Sequence, residues 1–63
     1  MAEKIRVVLI DDDKLVALSL KTILESTGKI EVIGSGASGN EAIELYGSLL
    51  PDVMLMDIRM NGM

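Results

Sequence analysis

The sequence predicts an α/β fold built on a small parallel sheet. Three apolar runs, Ile5-Arg6-Val7-Val8-Leu9-Ile10, Ile30-Glu31-Val32-Ile33 and Val53-Met54-Leu55-Met56, have the β-branched and aliphatic make-up of buried strands. Nineteen residues separate each run from the next, and both spacers carry apolar residues at helical intervals. A spacer that long is no hairpin. It calls for parallel strands joined by right-handed helical crossovers, in the order βαβαβ.

Each element follows in turn. The first strand, about 5–10, stops at Asp11-Asp12-Asp13. A helix is expected over about 14–26, with Val16, Leu20, Ile23 and Leu24 as its inward stripe and Gly28 as the stop. The second strand spans about 30–34. The stretch Gly34 to Gly39 reads as a glycine- and serine-rich loop. Ser38 is the expected N-cap of the next helix, and Glu41, three residues on, completes a capping box. That helix covers about 38–50, with Ala42, Ile43, Leu45 and Leu49 as inward residues, until Pro51 bars its continuation. The third strand, about 53–57, closes on Asp57.

Composition removes several functions. The 63 residues contain no cysteine and no histidine, which excludes a disulfide framework, a thiol nucleophile and the commonest zinc ligands. A net charge of −4 argues against this segment gripping a nucleic-acid backbone itself. The longest purely apolar run is four residues, so no membrane span is expected, and the start has no apolar signal core. A cytoplasmic protein is the expectation. At 49% apolar residues the chain is more hydrophobic than a self-contained domain of this size requires, so it reads as part of something larger.

Two strands end in carboxylates. In an open parallel sheet of order 2-1-3, the winding direction reverses between strands one and three, and ligands gather at the carboxyl ends of the strands there. Asp11, Asp12 and Asp57 therefore converge on one crevice. Like charges so close need compensation, and a hard divalent cation with all-oxygen ligands, Mg²⁺, supplies it. Mg²⁺ usually binds one or two carboxylates together with a phosphate, so the crevice points to a phosphoryl group. The plainer alternative is that Asp11 to Asp13 only cap the first helix and favour its dipole.

The segments Leu9-Ile10-Asp11-Asp12-Asp13, Gly36-Ala37-Ser38-Gly39-Asn40-Glu41-Ala42 and Met56-Asp57-Ile58-Arg59-Met60, with 45 positions between Asp12 and Asp57, resemble the first half of a response-regulator receiver domain from two-component signalling. The resemblance spans essentially the whole chain and implies a partial flavodoxin-like fold. It implies that Asp57 is the phosphoacceptor, that Asp12 binds Mg²⁺ directly, and that Asp11 holds the metal through water. Arg59 would offer its backbone carbonyl to the metal, and Asp13 matches a variable position. The implied donor is a phosphohistidine on a sensor histidine kinase. DNA binding would belong to a helix-turn-helix output domain outside these residues, as the Ile30–Gly34 stretch suggests by likeness to that subgroup. Where the family has proline after Met60, this chain has Asn61. The family's Ser or Thr after strand four and its Lys after strand five have no counterpart within the 63 residues.

Other readings stay open. Gly34-Ser35-Gly36-Ala37-Ser38-Gly39 is a literal G-x-G-x-x-G between a strand and a helix, with Asp57 18 positions beyond Gly39, so a dinucleotide-binding fragment is an alternative. Leu15 and Leu18 lie off the inward stripe, either as ordinary exposed leucines or as a docking face for the kinase. Lys14 and Lys21 read as solvated charges, Met54 and Met56 as packing residues, and Tyr46 as half-buried. Strand three would form a sheet edge with apolar residues on both faces, which invites pairing with another chain. The chain is therefore expected to be a fragment that self-associates through that edge; in the bare half-domain alternative it dimerises without signalling of its own.

Overall fold

A computed structural model describes residues 3–57. Five elements alternate along the chain: β1 (Ile5–Ile10), α1 (Lys14–Glu25), β2 (Ile30–Gly36), α2 (Gly39–Leu49) and β3 (Val53–Met56). The strands form one parallel sheet in the order β2-β1-β3, as the crossover argument requires. β1 is central, and Val7, Val8, Leu9 and Ile10 are all buried. Its continuous apolar run is explained by that position, because both faces of β1 are covered. On one face Val8 and Ile10 pack with Ala42, Ile33, Leu45, Leu49 and Met54. On the other, Leu9 shares a groove with Ala17 and Leu18 of α1 and with Val32 of β2.

The second strand runs two residues further than its apolar core suggested. Gly34, Ser35 and Gly36 continue the ladder opposite Val8, Leu9 and Ile10, after a register shift that leaves Ile33 as an extra residue between Val32 and Gly34. The glycines are there for closeness. A Cβ on Gly34 would lie 2.8 Å from Leu49 Cδ1, and one on Gly36 would lie 2.9 Å from the Glu41 Cβ. Both positions let α2 approach the sheet. Among the described glycines, Gly28, past the end of α1, is the one with a left-handed backbone, at φ +75°.

Four inward assignments, one in α2 and three in α1, are corrected. Ile43 is 73% exposed, because the helix buries Ala42, Leu45 and Leu49, a phase one residue away. In α1 no residue is fully buried, and Val16, Leu20 and Ile23 are all exposed. The helix leans over β2, so Ala17 and Leu24 become its half-buried residues while Val16 and Leu20 face an open groove beside Leu55 and Met56. Tyr46 is exposed rather than half-buried, and Leu15 and Leu18 are exposed.

The helix ends are made by side chains. Asp13 Oδ1 accepts from the Leu15 and Val16 amides at 2.9 and 3.3 Å, which makes it the N-cap of α1. Ser38 Oγ accepts from Glu41 N at 3.3 Å, and Glu41 Oε1 reaches one residue beyond the cap to accept from Ala37 N at 2.8 Å. At the other end of α2, Leu50 turns left-handed at φ 47° before Pro51.

Candidate functional site: a carboxylate cluster at the carboxyl end of the sheet

β1 and β3 run side by side, so their carboxyl ends open onto the same place. The Asp57 amide donates to the Ile10 carbonyl at 2.9 Å, one step past the β1–β3 ladder. The Asp11 amide donates to the Gly36 carbonyl at 3.0 Å, on the opposite side of β1. Asp11 and Asp57 are thus fixed by main-chain bonds to the strands they terminate. One carboxylate oxygen from each of Asp11, Asp12 and Asp57 lies within 4.8 Å of the others.

The three differ in setting. Asp11 is only 7% exposed and is the buried charged residue of the described chain; its Oδ1 accepts from the Asp13 amide at 2.9 Å. That bond shapes the turn leading into α1 and leaves the second oxygen for other partners. Asp12 is exposed and Asp57 is half-buried. Asp13 stands apart, because its carboxylate is committed to capping α1. The plainer capping alternative, made for Asp11 to Asp13, therefore holds for Asp13, whose carboxylate takes the first-turn amides, while Asp11 accepts from the Asp13 amide instead. Arg59, named for its carbonyl, lies outside the described residues.

The donor set fits a hard divalent cation. It is all oxygen, it is anionic, and it converges from two strand ends held in fixed register. The dinucleotide alternative fares differently. Gly34 and Gly36 sit inside β2 with no left-handed backbone, so they form no phosphate-cradling turn.

Arg6 went unremarked in the sequence. Its guanidinium donates to the Leu49 and Leu50 carbonyls at 2.7 and 3.0 Å, its amide donates to Asp52 Oδ2 at 2.9 Å, and its carbonyl accepts from the Asp52 amide at 2.9 Å. The free carbonyls at the end of α2 are thereby capped, and β3 is tied to β1 at its start. The available signal was an arginine interrupting an otherwise apolar strand.

An acidic trio at the carboxyl edge of a 2-1-3 parallel sheet defines a class of α/β module that can hold a cation where the sheet reverses its winding. The chain belongs to the response regulator receiver domain family, whose model matches residues 7–63. Among its relatives is the transcriptional regulatory protein LiaR of Bacillus subtilis, 49% identical over 59 residues, which cover 94% of this chain and 28% of LiaR. The response regulator protein VraR of Staphylococcus aureus is 42% identical over 59 residues, with the same coverage. The signal receiver domain of the putative response regulator NarL from Mycobacterium tuberculosis superposes with a TM-score of 0.91 at 42% identity, covering 98% of this chain and 50% of that one. The chain thus spans about a quarter of the length of the full-length regulators it matches.

Proposed function

We propose that these residues form the phosphoacceptor part of a receiver module in a longer transcriptional regulator. Asp57 receives a phosphoryl group from a phosphohistidine of a sensor histidine kinase. The module is regulatory rather than a classical enzyme. The observation that carries the reading is the meeting of Asp11, Asp12 and Asp57 within 4.8 Å, in a chain of the receiver family.

An oxygen of the Asp57 carboxylate attacks phosphorus while the phosphorus–nitrogen bond to the donor imidazole breaks, leaving an acyl phosphate on Asp57 and the electron pair on the imidazole nitrogen. Positioning and charge neutralisation carry such a transfer. Asp11, Asp12 and Asp57, with the Arg59 carbonyl, would hold Mg²⁺, which when bound offsets the negative charge of carboxylates and phosphoryl oxygens. The Asp57 backbone bond to Ile10 fixes the nucleophile relative to Asp11 and Asp12. Partner DNA is met through an output domain, and the working compartment is the cytoplasm; among the described residues no helix is long and apolar enough to cross a membrane.

The test is incubation of the chain with acetyl phosphate and Mg²⁺, followed by intact mass and borohydride trapping of the acyl phosphate. Labelling at Asp57 that disappears with a chelator and in Asp57→Asn supports the reading. Labelling that persists in Asp57→Asn sinks it.

A second reading concerns assembly. Val53, Leu55 and Met56 are 40–42% exposed along the β3 edge, and both helices lean toward β1 and β2. That edge accepts a further strand, either from the rest of a receiver domain or from a second copy of this segment. Sedimentation of the 63-residue chain against a Leu55→Lys variant tests it: an association that the variant leaves intact refutes the β3 edge.

A further inference from the structure

The sheet has a second edge, and it is treated differently. β2 borders β1 on one side only, so its outer main-chain groups face away from the sheet. The Val32 amide, on that outer side, donates to Glu25 Oε2 at 3.0 Å. Glu25 is the last residue of α1, seven positions earlier in the chain. Its carboxylate meets a donor where an added strand would place a carbonyl.

We propose that Glu25 masks the outer edge of β2, and that without it this edge pairs antiparallel with β2 of a second copy. A two-fold register centred on Ile30 sets Ile30 opposite itself. In that register Lys29, the residue just before the strand, faces Glu31 of the second copy and Glu31 faces Lys29 of the second copy, so the start of β2 is charge-complementary to itself. The bulge at Ile33 ends the regular edge and confines the pairing surface to the first half of β2. A charged group aimed at an edge is a recognised guard against such addition. This inference is independent of the phosphoryl reading, since none of its residues touches the carboxylate cluster.

The test compares the full chain with Glu25→Ala by amide hydrogen exchange and sedimentation. In dilute Glu25→Ala the Val32 amide should exchange about tenfold faster, reflecting the loss of a charge-assisted bond. On concentration the variant should rise in mass beyond the wild-type state and regain protection at Val32. Adding Glu31→Lys sets two lysines opposite one another and should return the mass to the wild-type value. Reading the wild type in parallel cancels any association through β3. Should Glu25→Ala not fold, Glu25→Asp is one methylene shorter and takes its place. Unchanged Val32 exchange overturns the masking; faster exchange with no added association overturns the second copy as partner.

Discussion

Arg6 and Asp11 stand near opposite ends of one strand and are handled in opposite ways. At the amino end of β1, charge is consumed. The Arg6 guanidinium is spread over the Leu49 and Leu50 carbonyls, and Asp52 answers the Arg6 main chain with both an acceptor and a donor. At the carboxyl end, charge is accumulated. Asp11, Asp12 and Asp57 converge with like sign, and the Asp11 carboxylate is held by the Asp13 amide. The two ends teach a division of labour: one end is closed by the chain's own groups, and the other gathers three carboxylates whose oxygens suit a hard cation. Conformational stability should respond to one end and chemistry to the other.

That comparison breaks most visibly at Asp57. Asp57→Asn should abolish phosphoryl incorporation while the thermal transition without Mg²⁺ stays within a few degrees, as paired mass and calorimetric measurements would show. Next comes Asp12→Asn, which removes one anionic ligand and should weaken Mg²⁺ on the order of tenfold or more. On the proposed reading Mg²⁺ has a site only in the folded chain, so the same titration followed by melting should lose most of its stabilisation, which for an intact site is about 2.7 kcal/mol at a hundredfold excess over Kd. At the closed end, Arg6→Met should cost about 1–3 kcal/mol in urea unfolding, since it strands two helix-terminal carbonyls. It should leave the Mg²⁺ affinity unchanged; a fall in affinity would show that the two ends are coupled. Gly34→Ala, whose Cβ meets the terminal methyl of Leu49 behind the same clasp, should cost only about 1 kcal/mol, because that side chain can swing aside. An effect as small falls to Asp13→Ala, about 1 kcal/mol for a lost N-cap, with metal binding retained although Asp13 adjoins the cluster in sequence.

How much of this was legible depends on which atoms do the work. The carboxylate cluster was readable because acids terminating apolar strands are written in side chains, and the strand order follows from crossover length alone. The Arg6 clasp was not, because three of its four bonds end or begin on main-chain atoms of residues more than 40 positions away, which leave no mark on the sequence. The glycine stretch misled for a related reason. Glycine disfavours strands locally, yet Gly34 and Gly36 extend β2 because β1 supplies a ladder and α2 needs the space. In α2, Ala42 and Ile43 offer two adjacent phases for one apolar stripe, and only contact with the sheet chooses the smaller residue. In α1, the stripe was real but half of it faces a groove beside β3 rather than a filled core.

The central place of β1 also has a consequence in time. Synthesis runs from the amino end, so the most buried strand is made before either of its neighbours exists. Ile30 follows Ile10 by 20 positions and Val53 follows it by 43. At translation rates of about 5–20 residues per second, the side of β1 that will meet β3 waits roughly two to nine seconds for its partner. During that interval Val7-Val8-Leu9-Ile10 is an unsheltered aliphatic tetrad on a nascent chain, and it is the stretch that a ribosome-associated chaperone would hold first.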